Sequence, residues 1–302
     1  MVWGWQIAWY LFLGGLGAGA TLTSLVASRA GSRFSAIERA GATLAGPAVA
    51  FGTALLVLDL GIGRREPWRL VYLYLNWQSP MTWGTWILTL FIPIALLHSL
   101  AVTGRLAPRF ERIVAPVRRV CVRAQSALKV AAGVLALSTA IYTGVLLSVP
   151  PSFPLLSSWL LPVLFLVSAL STGLSAAVLG GYVMAHRQGV ELDLHRLSRT
   201  HIGLVVLELG VLLAWLAVGS GSPAGGTSVD MLVTGALAPV FWGGVVVIGL
   251  VGPVLAFIVE SGQRRNNARL SLAGEAGVLA GGLALRYLVL LAAVPVLVGP
   301  AL

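Results

Sequence analysis

Four stretches of this chain carry hydrogen-bonding side chains at one shallow depth inside otherwise apolar segments. Tyr10 lies about five residues into the first, with Gln6 one turn above it on the same face. Asp59 closes the second, Ser79, Thr82 and Trp83 open the third, and Tyr142 lies six residues before the end of the fourth. At about 1.5 Å per helical residue, the two tyrosines sit roughly 8–9 Å below the helix ends. Phenolic donors, an aromatic wall and an apolar approach suit a ring with two carbonyl oxygens, such as a quinone headgroup on a lipid-soluble tail. One tyrosine alone would read as an interfacial anchor. The set of Gln6, Tyr10, Asp59, Ser79, Trp83 and Tyr142 favours a site.

The elements that must carry these residues follow from composition. Of 302 residues 58% are apolar and only 10% charged, with a mean hydropathy of +0.92, where a soluble domain carries roughly 25% charged residues. Apolar runs long enough to cross a hydrocarbon core about 30 Å thick recur along the whole length. The spacing predicts an all-α integral membrane protein with eight transmembrane helices, at about 5–28, 39–60, 80–103, 125–148, 156–185, 200–219, 233–260 and 273–299. The single cysteine, Cys121, excludes an internal disulfide and a cysteine-ligated cluster. No basic segment precedes the first apolar run, so a cleaved signal peptide is not expected.

The net charge of +10 is a topology signal. Sixteen of the twenty Lys and Arg fall in the loops after helices 1, 3, 5 and 7 or in the first turns of the helices that follow them, which places those loops in the cytoplasm and both termini outside. The excess therefore points to anionic membrane lipid rather than nucleic acid. Arg64, Arg65 and Arg69 break the trend in an outward loop, GRREPWR, which reads either as a docking surface or as a solvated turn. All ten tryptophans fall in the outer half, either as one aromatic belt or around a ring-shaped ligand or docked protein.

Deeper in the membrane lie Glu208 and Arg286. Charges at such depth cost about 2.5–3.5 kcal/mol even on insertion scales. Two readings stand: a structural ion pair, or a proton relay in which Glu208 changes protonation. Glu260 and Glu275 are placed at cytoplasmic helix ends, where snorkelling is the plain reading. His98, His186, His195 and His201 fall at or near the cytoplasmic ends, away from the layer of Tyr10 and Tyr142, so axial haem ligation is not expected.

The segments WGWQIAWYLFLGGLGAGA, LDLGIGRREPWR, SPMTWGTW, IYTGVLLS and WLLPVLFLVSALSTG, with weaker echoes in LELGVLL and LRYLVLLA, span nearly the whole chain. In that order they resemble the NrfD/PsrC family, membrane subunits of polysulfide reductase and related oxidoreductases. The resemblance implies two four-helix bundles in the cytoplasmic membrane of a prokaryote, with no haem or metal in this chain. It implies a quinone site (menaquinone or ubiquinone) near the outer face. It also implies a ferredoxin-like, four-cluster iron–sulfur subunit docked there, itself joined to a catalytic subunit of molybdopterin type. The family's quinone-linked tyrosine falls on Tyr142. Its polar position in helix 1 falls on Tyr10, where at least one member has histidine, and the Asp of its LDLG motif falls on Asp59. Gly14 to Gly19 read as a close helix contact.

The expectation is a membrane anchor subunit with Gln6, Tyr10, Ser79, Trp83 and Tyr142 holding quinone, and Tyr142, Asp59, Glu208 and Arg286 serving its electron and proton exchange. A secondary transporter or channel using Asp59, Glu208 and Arg286 is the alternative from another class. Its sites usually lie at the midplane on broken helices, whereas most polar groups here gather at one face. A purely structural anchor is the third reading.

Overall fold

A computed structural model describes residues 4–61, 67–103, 108–189, 192, 194–262 and 268–294. Helices run from Trp5–Ala30 (α1), Ser35–Asp59 (α2), Pro80–Val102 (α3), Pro108–Arg123 (α4), Gln125–Ser148 (α5), Leu160–Arg187 (α6), Leu194–Gly219 (α7) and Pro223–Val233 (α8). A wide π-helical stretch, Val240–Val251, continues into α9, Gly252–Gly262, and α10 spans Ala268–Leu291. Eight of these segments are long and apolar enough to cross a membrane: α1, α2, α3, α5, α6, α7, the Val240–Ser261 stretch and α10. No strand occurs among the described residues. The multi-pass, all-α membrane class is therefore observed.

Local sequence explains several boundaries. Pro80 cannot donate at the first helical position and forces Ser79 into extended backbone (φ −87°, ψ 127°), so Ser-Pro starts α3 sharply. Ser222 caps α8 by accepting from the Gly225 amide at 3.1 Å. Gly31, at φ +103°, ends α1 in a conformation other residues avoid. The Leu155 carbonyl accepts from Trp215 Nε1 at 3.2 Å, which pins the segment before α6 and delays that helix to Leu160.

α1 and α6 form the centre. α1 packs against α2, α5, α6 and α10, and α6 also meets α2, α5, α7 and α10. Their crossing is built from glycine. A Cβ at Gly173 would overlap the backbone of Gly19 and Ala20, and one at Gly19 would overlap the Ala169 carbonyl. In lipid, such close backbone approach supplies packing that the hydrophobic effect cannot. Gly173→Ala is expected to destabilise the fold by about 1–3 kcal/mol through overpacking, read as a lower thermal midpoint in detergent.

Two differences from the sequence reading matter. α7 begins at Leu194 and α10 at Ala268, several residues earlier than hydropathy indicates, because charged first turns hide the helix starts. His201 and Glu275 therefore lie inside their helices, at 0% and 1% exposure. Glu260, also 1% exposed, accepts a short hydrogen bond from Ser198. The snorkelling expectation for Glu260 and Glu275 is thus corrected: both are internal polar groups with partners. The amphipathic α4 occupies the basic segment after α3, where hydropathy alone indicates a loop. Trp3, Arg64, Arg65 and the end of the last expected helix lie outside the described residues.

Candidate functional site

Tyr10 and Tyr142 line one cavity of about 130 Å³. Its walls are Thr53, Leu56 and Val57 of α2 with Leu60 just beyond it, and Met81, Gly84, Thr85, Leu88 and Thr89 of α3. Tyr10 of α1 and Tyr142 and Leu146 of α5 complete it, and Leu70, Leu73 and Tyr74 form a roof. The roof belongs to a 3₁₀ segment, Pro67–Tyr74. Four helices and one connecting segment thus converge on two phenols.

The Tyr10 hydroxyl is the notable polar atom of this cavity. Tyr10 is 1% exposed, and its hydroxyl has no hydrogen-bond partner among the described residues. A buried, unmatched hydroxyl costs on the order of 1–3 kcal/mol unless something else satisfies it. Tyr142 is buried against the bare Cα of Gly84, whose Cβ would overlap the tyrosine ring and hydroxyl. Gly84 therefore creates the slot in α3 that lets the Tyr142 ring lie between the helices. The neighbouring threonines are quiet: Thr53 and Thr85 donate to the carbonyls of Val49 (2.8 Å) and Met81 (2.9 Å) in their own helices. Met81 lines the cavity yet is 44% exposed, so the wall on that side borders the protein surface.

An aromatic stack holds the roof down. Tyr74 and Thr89 share a hydroxyl hydrogen bond of 2.8 Å. Tyr74 meets Trp86 edge-on at 5.3 Å, Trp86 stacks on Trp77 at 6.1 Å, and Trp77 meets Trp83 edge-on at 5.7 Å. Trp83 Nε1 donates to the Trp77 carbonyl at 3.1 Å. Trp83 thus stands outside the cavity wall, on the exposed side of α3, where it anchors the segment after the roof. Ser79 also stands outside, its carbonyl accepting from the Thr82 amide at 3.0 Å. Gln6 and Asp59 come together above the tyrosines: a Cβ on Gly4 would meet Gln6 Oε1 at 2.5 Å and Asp59 Oδ1 at 2.6 Å. They approach each other at the start of α1 and the end of α2 and do not line the cavity. Thr53, Tyr74, Gly84, Thr85 and Thr89 were not singled out in the sequence. Helical threonines give no signal there, because their hydroxyls are satisfied locally in so many helices.

A second polar group lies deeper. Arg286 is 1% exposed and reaches from α10 to the α1–α6 crossing. Its Nη1 donates to Ser168 Oγ at 2.6 Å and to the Gly282 carbonyl at 2.9 Å. The guanidinium lies 5.9 Å from the Phe12 ring and 5.3 Å from the Phe165 ring. A Cβ on Gly15 would stand 3.1 Å from Nη2, so that glycine also makes room for the cation. The Glu208 carboxylate lies beside Ser168 and Ser171, within the field of Arg286 and His201. His201 continues the series: Nδ1 is 3.0 Å from Glu275, Nε2 is 3.2 Å from Ser175 Oγ, and its ring stacks on Phe257. Glu208 and Arg286, whose contact the sequence reading left open, share Ser168. Among the described residues no group of three or more His, Cys, Asp or Glu side chains is arranged to hold a metal ion.

An apolar pocket holding two phenols near one end of an eight-span helical protein, covered by an aromatic segment, defines a multi-pass helical membrane protein with a small internal site. The model of the family "Polysulphide reductase, NrfD" matches residues 1–298. The C subunit of polysulfide reductase from Wolinella succinogenes is 32% identical over 97% of this chain and 94% of its own length. Protein NrfD of Escherichia coli is 30% identical over 97% and 95%, and the NrfD homologue of Haemophilus influenzae 27% over 97% and 94%. The chain belongs to the NrfD/PsrC polysulfide-reductase-like membrane family.

Proposed function

We propose that this chain is the membrane anchor subunit of a multi-subunit respiratory oxidoreductase and binds a quinone or quinol ring between Tyr10 and Tyr142. The observation that carries this reading is the unmatched Tyr10 hydroxyl in an apolar cavity that it lines together with Tyr142, open to the surface beside Met81. A quinone oxygen would supply the missing acceptor, the leucines of α2 and α3 would flank the ring, and the tail would leave past Met81. Bound quinone would supply two-electron, two-proton redox chemistry. Tyr10 and Tyr142 would orient the ring and donate to its oxygens, while the Gln6–Asp59 pair at the outer ends would exchange protons with solvent.

The orientation that goes with this reading puts the tyrosine end outside and the basic end in the cytoplasm of a prokaryotic inner membrane, from the Lys and Arg asymmetry. Helices α1, α2, α3 and α5 would form one four-helix bundle, and α6, α7, the Val240–Gly262 stretch and α10 the other. The roof segment, with Arg69 exposed on it, would face an iron–sulfur subunit that exchanges electrons with the bound ring. Its substrate chemistry would belong to a further catalytic subunit, as the name of the Wolinella relative suggests for that protein. The series Arg286, Ser168, Glu208, Ser171, His201 and Glu275 would serve as a proton route toward the opposite face.

Tyr142→Phe tests the site with little change of shape. Losing one donor is expected to weaken a quinone analogue about tenfold, since a well-made hydrogen bond contributes about 0.5–1.5 kcal/mol. Fluorescence titration of the purified chain reads it. Unchanged affinity in both Tyr142→Phe and Tyr10→Phe would overturn the assignment. Substrate flux into liposomes holding this chain alone would favour a transporter instead.

A further inference from the structure

A second cavity, larger than the one at the tyrosines, lies at the basic end of the molecule. It is a groove of about 360 Å³ where α1 and the start of α2 face α6 and α7, lined by Leu22, Val26, Ala30, Phe34, Leu174 and Leu204 among others. From Leu22 to Ala30 it follows α1 for about 12 Å. Its walls are almost wholly apolar, and Val26 is 65% exposed.

The mouth is different. Arg29, Arg33 and Arg199, all exposed, immediately precede the lining residues Ala30, Phe34 and Thr200. Glu38, in the first turn of α2, is engaged by Lys129 of α5 at 3.6 Å. An apolar slot fringed in sequence by three exposed arginines matches an amphiphile with a hydrocarbon chain and a phosphate. A second copy of this chain would bring the same arginines together. A neutral quinone would gain nothing from the fringe.

We propose that this groove binds an anionic phospholipid, one acyl chain lying along α1 and the phosphate meeting Arg29, Arg33 and Arg199. The lipid bridges α1 and α2 to α6 and α7 at the end opposite the tyrosine cavity, and the proposal stands independently of what that cavity holds. The chemistry needs only the negative headgroup, so phosphatidylglycerol is the probe.

The test is native mass spectrometry of the delipidated full-length chain with phosphatidylglycerol and phosphatidylcholine of identical acyl chains. The expected result is one retained phosphatidylglycerol, favoured about tenfold over phosphatidylcholine, as attraction of about 1 kcal/mol per basic residue allows. The triple variant Arg29→Gln, Arg33→Gln, Arg199→Gln is expected to bring the two lipids to equality. Ala30→Phe, which fills the mouth, is expected to abolish retention. Because the triple variant alters only exposed side chains, it decides the matter even if Ala30→Phe fails to fold. Equal retention of both lipids by the unaltered chain would overturn the proposal. So would a preference untouched by the triple variant, displacement by a neutral quinone, or a dimer that Ala30→Phe disrupts.

Discussion

Gly84→Ala should reduce quinone-analogue affinity about a hundredfold while leaving a folded, membrane-inserted protein. The added methyl falls on the Tyr142 ring and hydroxyl. Either α3 retreats or the ring rotates away, and both outcomes remove a donor from the cavity and alter a space of only about 130 Å³. Lost hydrogen bonding of about 1–1.5 kcal/mol and a steric penalty of about 1–3 kcal/mol together come to about 2–4.5 kcal/mol, around the 2.8 kcal/mol that a factor of about one hundred represents. Binding titration reads the affinity, and thermal unfolding in detergent reads the cost to the fold. A second variant separates space from chemistry: Gly84→Ala combined with Tyr142→Ala should relieve the clash and regain thermal stability without regaining affinity. Full affinity in Gly84→Ala would mean that the ring site lies elsewhere.

Arg286→Ala should be the most destabilising single truncation in the interior. The guanidinium holds Ser168 and the Gly282 carbonyl and lies close to two phenylalanine rings. Removing it opens a cavity at the α1–α6–α10 junction and leaves the buried Glu208 without its cation. Breaking a buried charge pair in this way costs about 3–5 kcal/mol. The double variant Glu208→Gln, Arg286→Met should recover much of that loss, because neither charge is then stranded. Thermal midpoints of the four proteins close the cycle. The single variant Glu208→Gln decides between pair and relay. A purely structural pair would lose stability in Glu208→Gln with proton uptake intact. A relay would keep most of its stability and lose proton uptake during quinone turnover by the assembled complex.

The eight spans were legible because hydrocarbon thickness imposes runs that no soluble helix needs, and Ser79–Pro80 marked the start of α3 for a stereochemical reason. Tyr10 and Tyr142 could be placed on one level by counting residues, since rise per residue is fixed and both helices begin or end near the same surface. What counting could not give was sideways position. Trp83 shares that level but faces outward to Trp77, and Ser79 spends its carbonyl on Thr82, whereas Tyr74 enters the cavity from a connecting segment with no periodic signal. Gly84 carried no mark of its role, because a glycine reveals the ring it admits only once the neighbouring helix is in place. Hydropathy also misplaced His201 and Glu275, whose helices begin within charged turns, and so hid the approach of His201 to Glu275.

A photoreactive azidoquinone, cross-linked to the purified chain and mapped by peptide mass spectrometry, tests the quinone site most directly. The expected result is labelling confined to the segments around Tyr10, Met81 to Thr89 and Tyr142 to Leu146, abolished by excess unlabelled quinone and by Gly84→Ala. Competable labelling concentrated in the Leu22–Ala30 and Leu197–Leu204 segments, with none near Tyr142, would contradict a ring site between the two tyrosines.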